Sequence, residues 1–258
     1  MQQANRSTVS RRIHILELLN KHGQVDVGTL SRELGVSEVT IRNDLTKLEQ
    51  KNLLIKARGG ALKVDRVAND ISIQDKNKQH LEEKQRIGKA ATGLIEAGDT
   101  IILDSGTTTM EIARNLSKDI PLTVITNALN IAEQLAEHQN MNVMVPGGVL
   151  RKNSLSLVGS TAEVGFRNFF CDKLFLAVDG FDMAHGLSTP NVEEAYLNRI
   201  MIEISKQVIV VADASKFHKR SFAFIAPLSG VDILITDSRI QPEDQIKFEN
   251  MGIQVIVV

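Results

Sequence analysis

The stretch TIILDSGTTTMEIA, Thr100 to Ala113, has the pattern of a buried strand, a tight turn and a helix. Ile101, Ile102 and Leu103 form an apolar run, a turn of small and polar residues follows it, and helix-forming residues come next. Such a turn offers backbone N–H groups, hydroxyls and a helix N-terminus to one anion. The stretch therefore predicts a phosphate site of the kind that many enzymes use.

Similar apolar runs recur after this stretch, and helical stretches lie between them. The runs are 100–103, 122–125, 142–145, 173–178, 207–212, 232–235 and 253–258. The predicted helices include 78–96, 108–117, 129–138, 161–169, 191–205 and 242–250. Strands rich in Val, Ile and Leu that are joined through helices indicate a doubly wound, mainly parallel α/β domain.

Polar residues follow five of these runs. Ligands of open α/β sheets bind beyond the carboxyl ends of the strands, which makes these residues candidates for one ligand site. In chain order they are Asp104, Ser105, Gly106, Thr107, Thr108 and Thr109, then Thr126 and Asn127, Gly147 and Gly148, Asp179 and Gly180, and finally Asp213, Ser215 and Lys216. Each group alone also fits a plain turn or helix cap. Together they favour a small polar ligand with a phosphate and hydroxyls, such as a sugar phosphate.

Two common nucleotide motifs are missing from this pattern. The DSGTTT turn has neither the GxxxxGK[ST] spacing of a P-loop nor the GxGxxG spacing of a dinucleotide site. Nucleoside triphosphates and NAD are therefore disfavoured, and no cofactor is predicted.

The N-terminal part of the chain differs in charge. Residues 1–63 hold 11 Lys and Arg against 6 Asp and Glu, whereas the remainder is acidic. A first helix is predicted from Ser10 to Lys21, a second after the N-cap Asp26, and a third from Glu38 to Lys51 after the N-cap Ser37. The tight turn between the second and third helices is typical of a helix-turn-helix.

The third helix has two distinct faces. Ile41, Leu45 and Leu48 fall on an apolar face that can pack, and Thr40, Asn43 and Lys47 form a polar stripe. Asn can pair with an adenine edge, and Arg or Lys can contact guanine or phosphate. The alternating residues 53–58 and the Gly59-Gly60 turn add a β-ribbon, which completes a winged helix. The predicted DNA-binding residues are Ser37, Thr40, Arg42, Asn43, Lys47, Arg58, Gly59 and Gly60.

Two further expectations concern this N-terminal unit. Asp44 is expected to have a structural role, orienting a neighbouring Arg or the helix itself, because a carboxylate does not favour a phosphate contact. With no Trp and one Tyr in the chain, double-stranded DNA is favoured over single strands. A three-helix protein-interaction module is the alternative. The predicted units are the winged helix 1–63, a linker 64–77 and the α/β domain 78–258.

Composition excludes several classes of protein. A chain of 258 residues with 43% hydrophobic content can fill a core. Its one cysteine, Cys171, excludes an intrachain disulfide framework and gives little support to a redox regulator, and the histidines lack zinc spacing, so no metal is predicted. No apolar run approaches the roughly 20 residues of a membrane helix, and the polar start MQQANRSTVSRR lacks the apolar core of a signal peptide. A cytoplasmic location is expected.

The stretch LSRELGVSEVTIRNDLTKLE, 30–49, together with the Arg58-Gly59-Gly60-Ala61 wing, resembles the DNA-binding domain of the DeoR-type bacterial repressors. Asn43 stands where a second Arg is usual. The rest of the chain resembles the effector domain of that family and, through it, the ribose-5-phosphate and glucosamine-6-phosphate isomerases. ILDSGTTT (102–109), EIAR (111–114) and STPNVEEAYLNRIM (188–201) resemble the branch that controls N-acetylgalactosamine catabolism.

The resemblance implies a repressor of a carbohydrate operon that a phosphorylated sugar releases from double-stranded operator DNA. The implied effector is an amino-sugar 6-phosphate, N-acetylgalactosamine 6-phosphate or galactosamine 6-phosphate. Its implied ligands are Asp104, Gly106, Thr107, Thr108, Asn127, Gly148, Asp179, Glu194 and Lys216. A homodimer or higher homo-oligomer is expected, because one reading helix gives too little specificity.

The alternative is a sugar-phosphate isomerase that carries a DNA-binding module. Asp179, Glu194 and Lys216 could then serve as general base and carbonyl-polarising groups. Phosphate and hydroxyl contacts do not separate the two interpretations, since a sensor and an enzyme both need them. The basic winged helix favours the regulator, because an enzyme has no need of it.

Overall fold

The computed structural model describes residues 8–22, 24–50, 54–57, 59–63 and 70–258. The chain divides into two compact units, residues 1–66 and 67–258. In the described residues, no helix is long and apolar enough to cross a membrane.

The first unit contains three helices and a small antiparallel sheet. Its elements are α1 (Thr8–His22), β1 (Gln24–Asp26), α2 (Val27–Leu34), α3 (Glu38–Gln50), β2 (Leu54–Ala57) and β3 (Gly60–Lys63). The strand order is β1-β3-β2, so the predicted two-stranded ribbon has a third strand. β1 was not predicted because three residues are too few to show alternation. A side chain at Gly60 would place its Cβ 2.0 Å from the Val25 carbonyl oxygen, so the close approach of β1 and β3 requires glycine.

The helix-turn-helix follows the caps that the sequence predicts. The Asp26 carboxylate accepts a hydrogen bond from the Thr29 N–H at 2.9 Å, and this hydrogen bond holds the pKa of Asp26 below its usual value. Gly35 ends α2 in the left-handed conformation with φ 65°. α3 then buries Ile41 and Leu45 against α1 and α2. The predicted helix-turn-helix is confirmed.

The second unit is built on a seven-stranded parallel sheet. Its strands are β4 (Thr100–Leu103), β5 (Leu122–Thr126), β6 (Met141–Met144), β9 (Cys171–Ala177), β12 (Ser205–Val211), β14 (Ile233–Thr236) and β15 (Gln254–Val257), in the order β15-β14-β12-β9-β4-β5-β6. Its helices are α4 (Ile73–Asn77), α5 (Leu81–Thr92), α6 (Thr107–Asn115), α7 (Leu129–Leu135), α8 (Ser160–Phe166), α9 (Val192–Glu203) and α10 (Pro242–Asn250). The predicted mainly parallel α/β fold is confirmed.

Apolar cores cover both faces of the sheet. Ile102 and Leu174 pack on one face with α8, α9 and α10, whereas Ile101, Leu103 and Phe175 pack on the other with α5, α6 and α7. Burial on both faces explains why each strand is a near-continuous apolar run. β9 and β4 therefore lie in the middle of the sheet, and the turns that follow them meet at its carboxyl edge.

Short antiparallel elements accompany the main sheet. β7 (Val149–Arg151) pairs with β8 (Ser156–Val158), and a second small sheet has the order β10 (Gly180–Asp182), β11 (Gly186–Thr189) and β13 (Ala223–Phe224). These strands lack the continuous apolar runs that mark the strands of the main sheet, so they were not predicted.

Residues 70–77 differ from the predicted linker. The Ser72 hydroxyl accepts a hydrogen bond from the Asp75 N–H and begins α4, and the Ile73 N–H donates to the Asn153 carbonyl oxygen at 2.8 Å. The Ile73 side chain is buried. These residues belong to the second unit, which starts before the predicted Lys78. This was not predicted from the polar sequence, because the hydrogen bond that anchors the segment joins Ile73 to Asn153, far along the chain.

Candidate functional site

The predicted DNA-reading residues of α3 lie on its solvent-facing side. The Ser37 hydroxyl caps the helix by accepting from the Thr40 N–H at 3.2 Å. Arg42, Asn43 and Lys47 are exposed, and Thr40 is half-buried. The polar stripe is therefore presented to solvent on a helix whose opposite face is fixed by packing. That arrangement suits a major-groove reader.

Two charged residues of α3 differ in their surroundings, because Asp44 is buried with a structural role and Arg42 is exposed. Asp44 is buried and pairs with Arg11 at 2.6 Å and Arg12 at 2.7 Å, which confirms its predicted role of orienting arginines. Arg42 pairs with Glu38 at 2.8 Å on the exposed surface. An exposed pair of this kind contributes little and leaves the guanidinium available to a phosphate.

The wing is described in part. Gly59 has φ 88° and forms the turn with Gly60, whereas Arg58 lies outside the described residues.

Two further exposed residues of the first unit were not predicted from the sequence. Val39 on α3 is 65% exposed and can meet a thymine methyl group. Lys56 on β2 is exposed and donates to the Thr46 hydroxyl.

A cleft opens at the carboxyl edge of the large sheet. With its solvent-filled mouth it encloses about 610 Å³. Eight of the predicted ligand residues line it: Asp104, Ser105, Gly106, Thr107, Thr108, Asp179, Glu194 and Lys216. Turns that lie far apart in the sequence therefore meet in one site, as the strand-end argument predicts.

The DSGTTT turn presents the N-terminus of α6 to the cleft. Gly106 is the N-cap residue, and α6 has no side-chain cap among the described residues. A Cβ at Gly106 would lie 2.7 Å from the Ala177 Cβ, so this turn needs glycine to pack against β9. The N–H groups of Thr107 and Thr108 are therefore left for an anion at the positive end of the helix dipole.

Two lysines flank one carboxylate in the cleft. Asp179 Oδ1 lies 2.7 Å from Lys76 Nζ and 3.4 Å from Lys216 Nζ. Burial raises the pKa of Asp179, but the two ammonium groups lower it further, and the net pKa is below its usual value. Asp179 therefore stays ionised and holds both lysines at the cleft.

A third lysine is nearly inaccessible to solvent. Lys84 is 3% exposed, and its ammonium donates to the carbonyl oxygens of Lys76 and Gln79, each at 2.6 Å. Burial lowers the pKa of Lys84 to about 8; the carboxylates of Asp213 and Glu111 oppose the shift, and the positive charges of Lys216 and Lys76 add to it. Three lysines thus line the cleft with the N-terminus of α6, where an added anion would favour their charged forms.

Carboxylates line the other part of the cleft. Glu194 accepts hydrogen bonds from Arg151 Nη1 at 3.0 Å, from the Ser156 hydroxyl at 3.1 Å and from the Thr189 hydroxyl at 3.3 Å. Asp104 is buried, and burial raises its pKa to about 8, with the negative charge of Glu194 adding to the shift. Such groups can accept hydrogen bonds from sugar hydroxyls or from an ammonium group.

Eight predicted ligand residues do not line the cleft. They are Thr109, Thr126, Asn127, Gly147, Gly148, Gly180, Asp213 and Ser215. The Thr109 hydroxyl donates to the Gly106 carbonyl oxygen at 3.0 Å, and the Thr126 hydroxyl donates to the Leu103 carbonyl oxygen at 2.7 Å. The Asn127 amide N–H donates to the Leu157 carbonyl oxygen at 3.4 Å, whereas its buried Oδ1 has no hydrogen-bond partner among the described residues. Asp213 accepts from the Ser215 N–H at 3.0 Å and caps the short turn after β12.

The three glycines have packing roles. Gly147 has φ 92°, which favours glycine in the turn after β6. A Cβ on Gly148 would lie 2.8 Å from the Val158 carbonyl oxygen, and one on Gly180 would lie 2.4 Å from the Ser188 hydroxyl. The φ angle of Gly147 and the close contacts at Gly148 and Gly180 explain why glycine occupies these positions without a ligand.

Most of the cations of the cleft, and several of its other residues, were not predicted from the sequence. They are Ile71, Ile73, Lys76, Lys84, Arg151, Asn153, Ser154, Thr189 and Asn198. Arg151, Asn153 and Ser154 come from the β7–β8 hairpin, and Lys76 comes from the segment that was predicted as linker. None of these nine residues directly follows a strand of the parallel sheet, and the prediction from strand ends considered only residues in that position. Thr189 and Asn198 lie within 188–201, where the family resemblance could have indicated them.

The two units match known domain families in the same order. Residues 11–67 match the DeoR-like helix-turn-helix domain, and residues 79–238 match the DeoR C terminal sensor domain. The chain belongs to the DeoR family. Its relatives in that family are transcriptional regulators, so the helix-turn-helix and the cleft are parts of a regulator.

Two relatives of this DeoR-family regulator align over nearly the whole chain. A protein of Escherichia coli O157:H7 named as an aga operon transcriptional repressor is 40% identical over 97% of this chain and 94% of its own length. The HTH-type transcriptional regulator GlpR of Haloferax volcanii is 37% identical over 95% of this chain and 96% of its own. A solved ribose 5-phosphate isomerase A from Methanocaldococcus jannaschii covers 55% of each chain at 15% identity with a TM-score of 0.40, a likeness too weak to carry an argument.

The lone thiol has the properties of a structural residue. Cys171 is buried at the start of β9, and burial raises its pKa to about 11, with the charge of Asp172 adding to the shift. A thiol with a raised pKa forms little thiolate, which disfavours redox sensing.

The raised pKa of Asp104 predicts how stability depends on pH. Folded Asp104 binds its proton with a pKa of about 8, well above the 3.8 of an unperturbed aspartate, so its contribution to stability is present at low pH and is lost as pH rises toward 8. Asp104→Asn cannot ionise and should gain stability relative to the wild type between about pH 5 and about pH 8. Thermal unfolding followed by circular dichroism measures this trend.

Asp119→Asn is the matched control for Asp104→Asn, because Asp119 is exposed in the turn before β5. It should show no such trend. The series stops near pH 8, since Lys84, with a lowered pKa, adds stability as pH rises above that value. A constant stability difference between Asp104→Asn and wild type across the range would contradict the assignment.

Proposed function

We propose that this regulator represses an amino-sugar catabolic operon in the cytoplasm and that a sugar phosphate bound in the cleft releases it from operator DNA. The observation that carries the proposal is that three lysines, Lys76, Lys84 and Lys216, line the cleft together with the uncapped N-terminus of α6. A phosphate dianion would accept hydrogen bonds from the Thr107 and Thr108 N–H groups and from Lys76, Lys84 and Lys216.

The remainder of the cleft suits the sugar. Asp104 and Glu194 lie on the side that carries Arg151 and Asn198. The Glu194 carboxylate can accept hydrogen bonds from sugar hydroxyls or from an ammonium group, and Asp104, mostly protonated at neutral pH, can donate as well as accept one. The resemblance to regulators of N-acetylgalactosamine catabolism favours N-acetylgalactosamine 6-phosphate or galactosamine 6-phosphate.

A sensor is favoured over an isomerase by the same geometry. Glu194, the candidate general base, already accepts three hydrogen bonds, one of them from a guanidinium. A base in that position has few lone pairs left for a substrate proton. Binding is therefore the simpler use of the cleft.

We further propose that a homodimer or higher homo-oligomer places two α3 helices on paired operator half-sites. Contacts from one short helix give limited discrimination, and two-fold symmetry multiplies it. Thr40, Asn43 and Val39 would face bases, whereas Arg42 and Lys56 would face phosphates.

The effector prediction is tested by operator release. Galactosamine 6-phosphate or N-acetylgalactosamine 6-phosphate should weaken operator binding, and unphosphorylated N-acetylgalactosamine should not. Lys216→Ala should raise the concentration needed for release about 10-fold or more, because it removes a charge-assisted hydrogen bond. Fluorescence anisotropy on labelled operator measures both effects.

Lys118→Ala is the matched control, since Lys118 is exposed beyond α6 at the far end from the cleft. It should respond like the wild type. If no sugar phosphate changes operator binding while one is converted to its isomer, the enzyme interpretation replaces the sensor.

The DNA prediction concerns base reading by Asn43. Asn43→Ala should lose about 1–3 kcal/mol of discrimination at one base pair of each half-site while keeping its affinity for random duplex DNA. Selection from a random duplex library, followed by binding to the selected and random sequences, measures this. Arg42→Ala serves as the comparison and should weaken both kinds of DNA alike. Equal losses on both kinds for Asn43→Ala would argue against base reading.

A further inference from the structure

Residues 70–77, here called the strap, form one wall of the cleft and directly follow the residues that connect the two units along the chain. Ile71, Ile73 and Lys76 of the strap line the cleft. The strap contains α4, a single short helix, so its position depends on contacts outside itself.

The two ends of the strap are held by ion pairs to cleft residues. Near its beginning, the Asp70 carboxylate pairs with Arg151, and the Asn153 amide donates to the Asp70 carbonyl oxygen at 3.0 Å. Near its end, Lys76 pairs with Asp179 at 2.7 Å. Each partner of the strap therefore also lines the ligand site.

The Lys76 end is the more deeply enclosed. The Lys76 and Asp179 side chains are 24% and 16% exposed, whereas Asp70 is 41% exposed. Lys84 also donates to the Lys76 carbonyl oxygen, which ties the backbone of α4 to the lysine cluster. A phosphate placed among Lys76, Lys84 and Lys216 would thus bind the strap and the main domain at once.

We propose that Lys76 is a ligand-binding residue of the cleft and that the strap carries the effect of ligand binding toward the DNA-binding unit. This proposal rests on the proposed function. An oxyanion adds a partner for Lys76 beyond Asp179 and holds the C-terminal end of the strap against the lysine cluster. Asp70 and Arg151 fix the N-terminal end, so both ends of the strap are held when the ligand is bound.

Asp70 is then a positioning residue that does not touch the ligand. With its ion pair removed, the strap can still bind the ligand through Lys76, but its first residues are no longer fixed. Ligand binding and operator release should therefore separate in an Asp70 variant. A merely structural role would move ligand affinity and operator release together.

The test uses the full chain with galactosamine 6-phosphate and N-acetylgalactosamine 6-phosphate as probes, and isothermal titration calorimetry as the measurement. Lys76→Gln should bind the probe that acts on the wild type about 10-fold more weakly or worse. Lys78→Gln is the matched control, because Lys78 is 80% exposed two residues further on, and it should bind like the wild type. Wild-type affinity in Lys76→Gln would overturn the assignment of Lys76.

Hydrogen exchange of the strap gives an independent readout if a variant folds poorly. In the wild type, the ligand should slow exchange of the Ile73 and Lys76 amides, which donate to Asn153 and Ser72 carbonyl oxygens. Unchanged exchange at saturating ligand would overturn the role of the strap.

Asp70→Asn completes the test. It should bind the probe within about threefold of the wild-type affinity, as expected for loss of a partly exposed ion pair, yet show a reduced effect of ligand on operator affinity. Full release in this variant would overturn the transmission through the strap. If the wild type binds neither probe, the proposed function fails first, whereas binding and release without any strap effect would reject the inference alone.

Discussion

The ion-pair triad of Lys76, Asp179 and Lys216 is the interaction on which the second unit's chemistry depends. Lys76 comes from the strap, Asp179 follows β9, and Lys216 follows β12, so one carboxylate joins three separate parts of the chain. Asp179 can hold two ammonium groups in a poorly solvated cleft because its pKa is kept low by them. The result is a cation-rich cleft in which two ammonium groups share one carboxylate.

The charges around this triad are unevenly compensated. Lys84 is buried with carbonyl oxygens as its hydrogen-bond partners, and Asp104 is buried with a pKa raised to about 8. Both arrangements cost folding free energy, since burial disfavours each charged form. Groups that destabilise a fold while lining a cleft are characteristic of ligand sites. The sugar phosphate that we propose would supply the missing countercharge and hydrogen-bond donors.

Much of this architecture could be predicted from sequence, for physical reasons. The seven parallel strands are apolar on both faces, and the caps Asp26 and Ser37 mark the helix-turn-helix. The cleft was only half predictable. The DSGTTT turn, Asp179 and Lys216 could be predicted because they follow strands of the parallel sheet. Lys76 and Arg151 could not, because they lie on the strap and on the β7–β8 hairpin, which long-range hydrogen bonds hold at the site.

Several predicted ligand residues lie outside the lining of the cleft because their polar groups hydrogen-bond to the backbone. Thr126 and Asn127 follow a strand as a ligand residue would, but they donate to backbone carbonyl oxygens near the site. Gly148 and Gly180 are required by backbone packing alone. Sequence position therefore predicts the edge of the sheet at which a residue lies, and contacts decide what it does there.

The proposed regulation requires the cleft and the DNA-reading helix of this DeoR-family regulator to be thermodynamically coupled. Coupling is reciprocal, so operator DNA must weaken sugar-phosphate binding by the same factor by which the sugar phosphate weakens operator binding. Calorimetric titration of the effector into the free protein and into operator-saturated protein measures that factor directly. We expect the effector dissociation constant to be about 5 to 150 times larger for operator-saturated protein than for free protein. The operator dissociation constant should rise by the same factor when effector is added. An effector dissociation constant that operator DNA leaves unchanged would contradict this coupling.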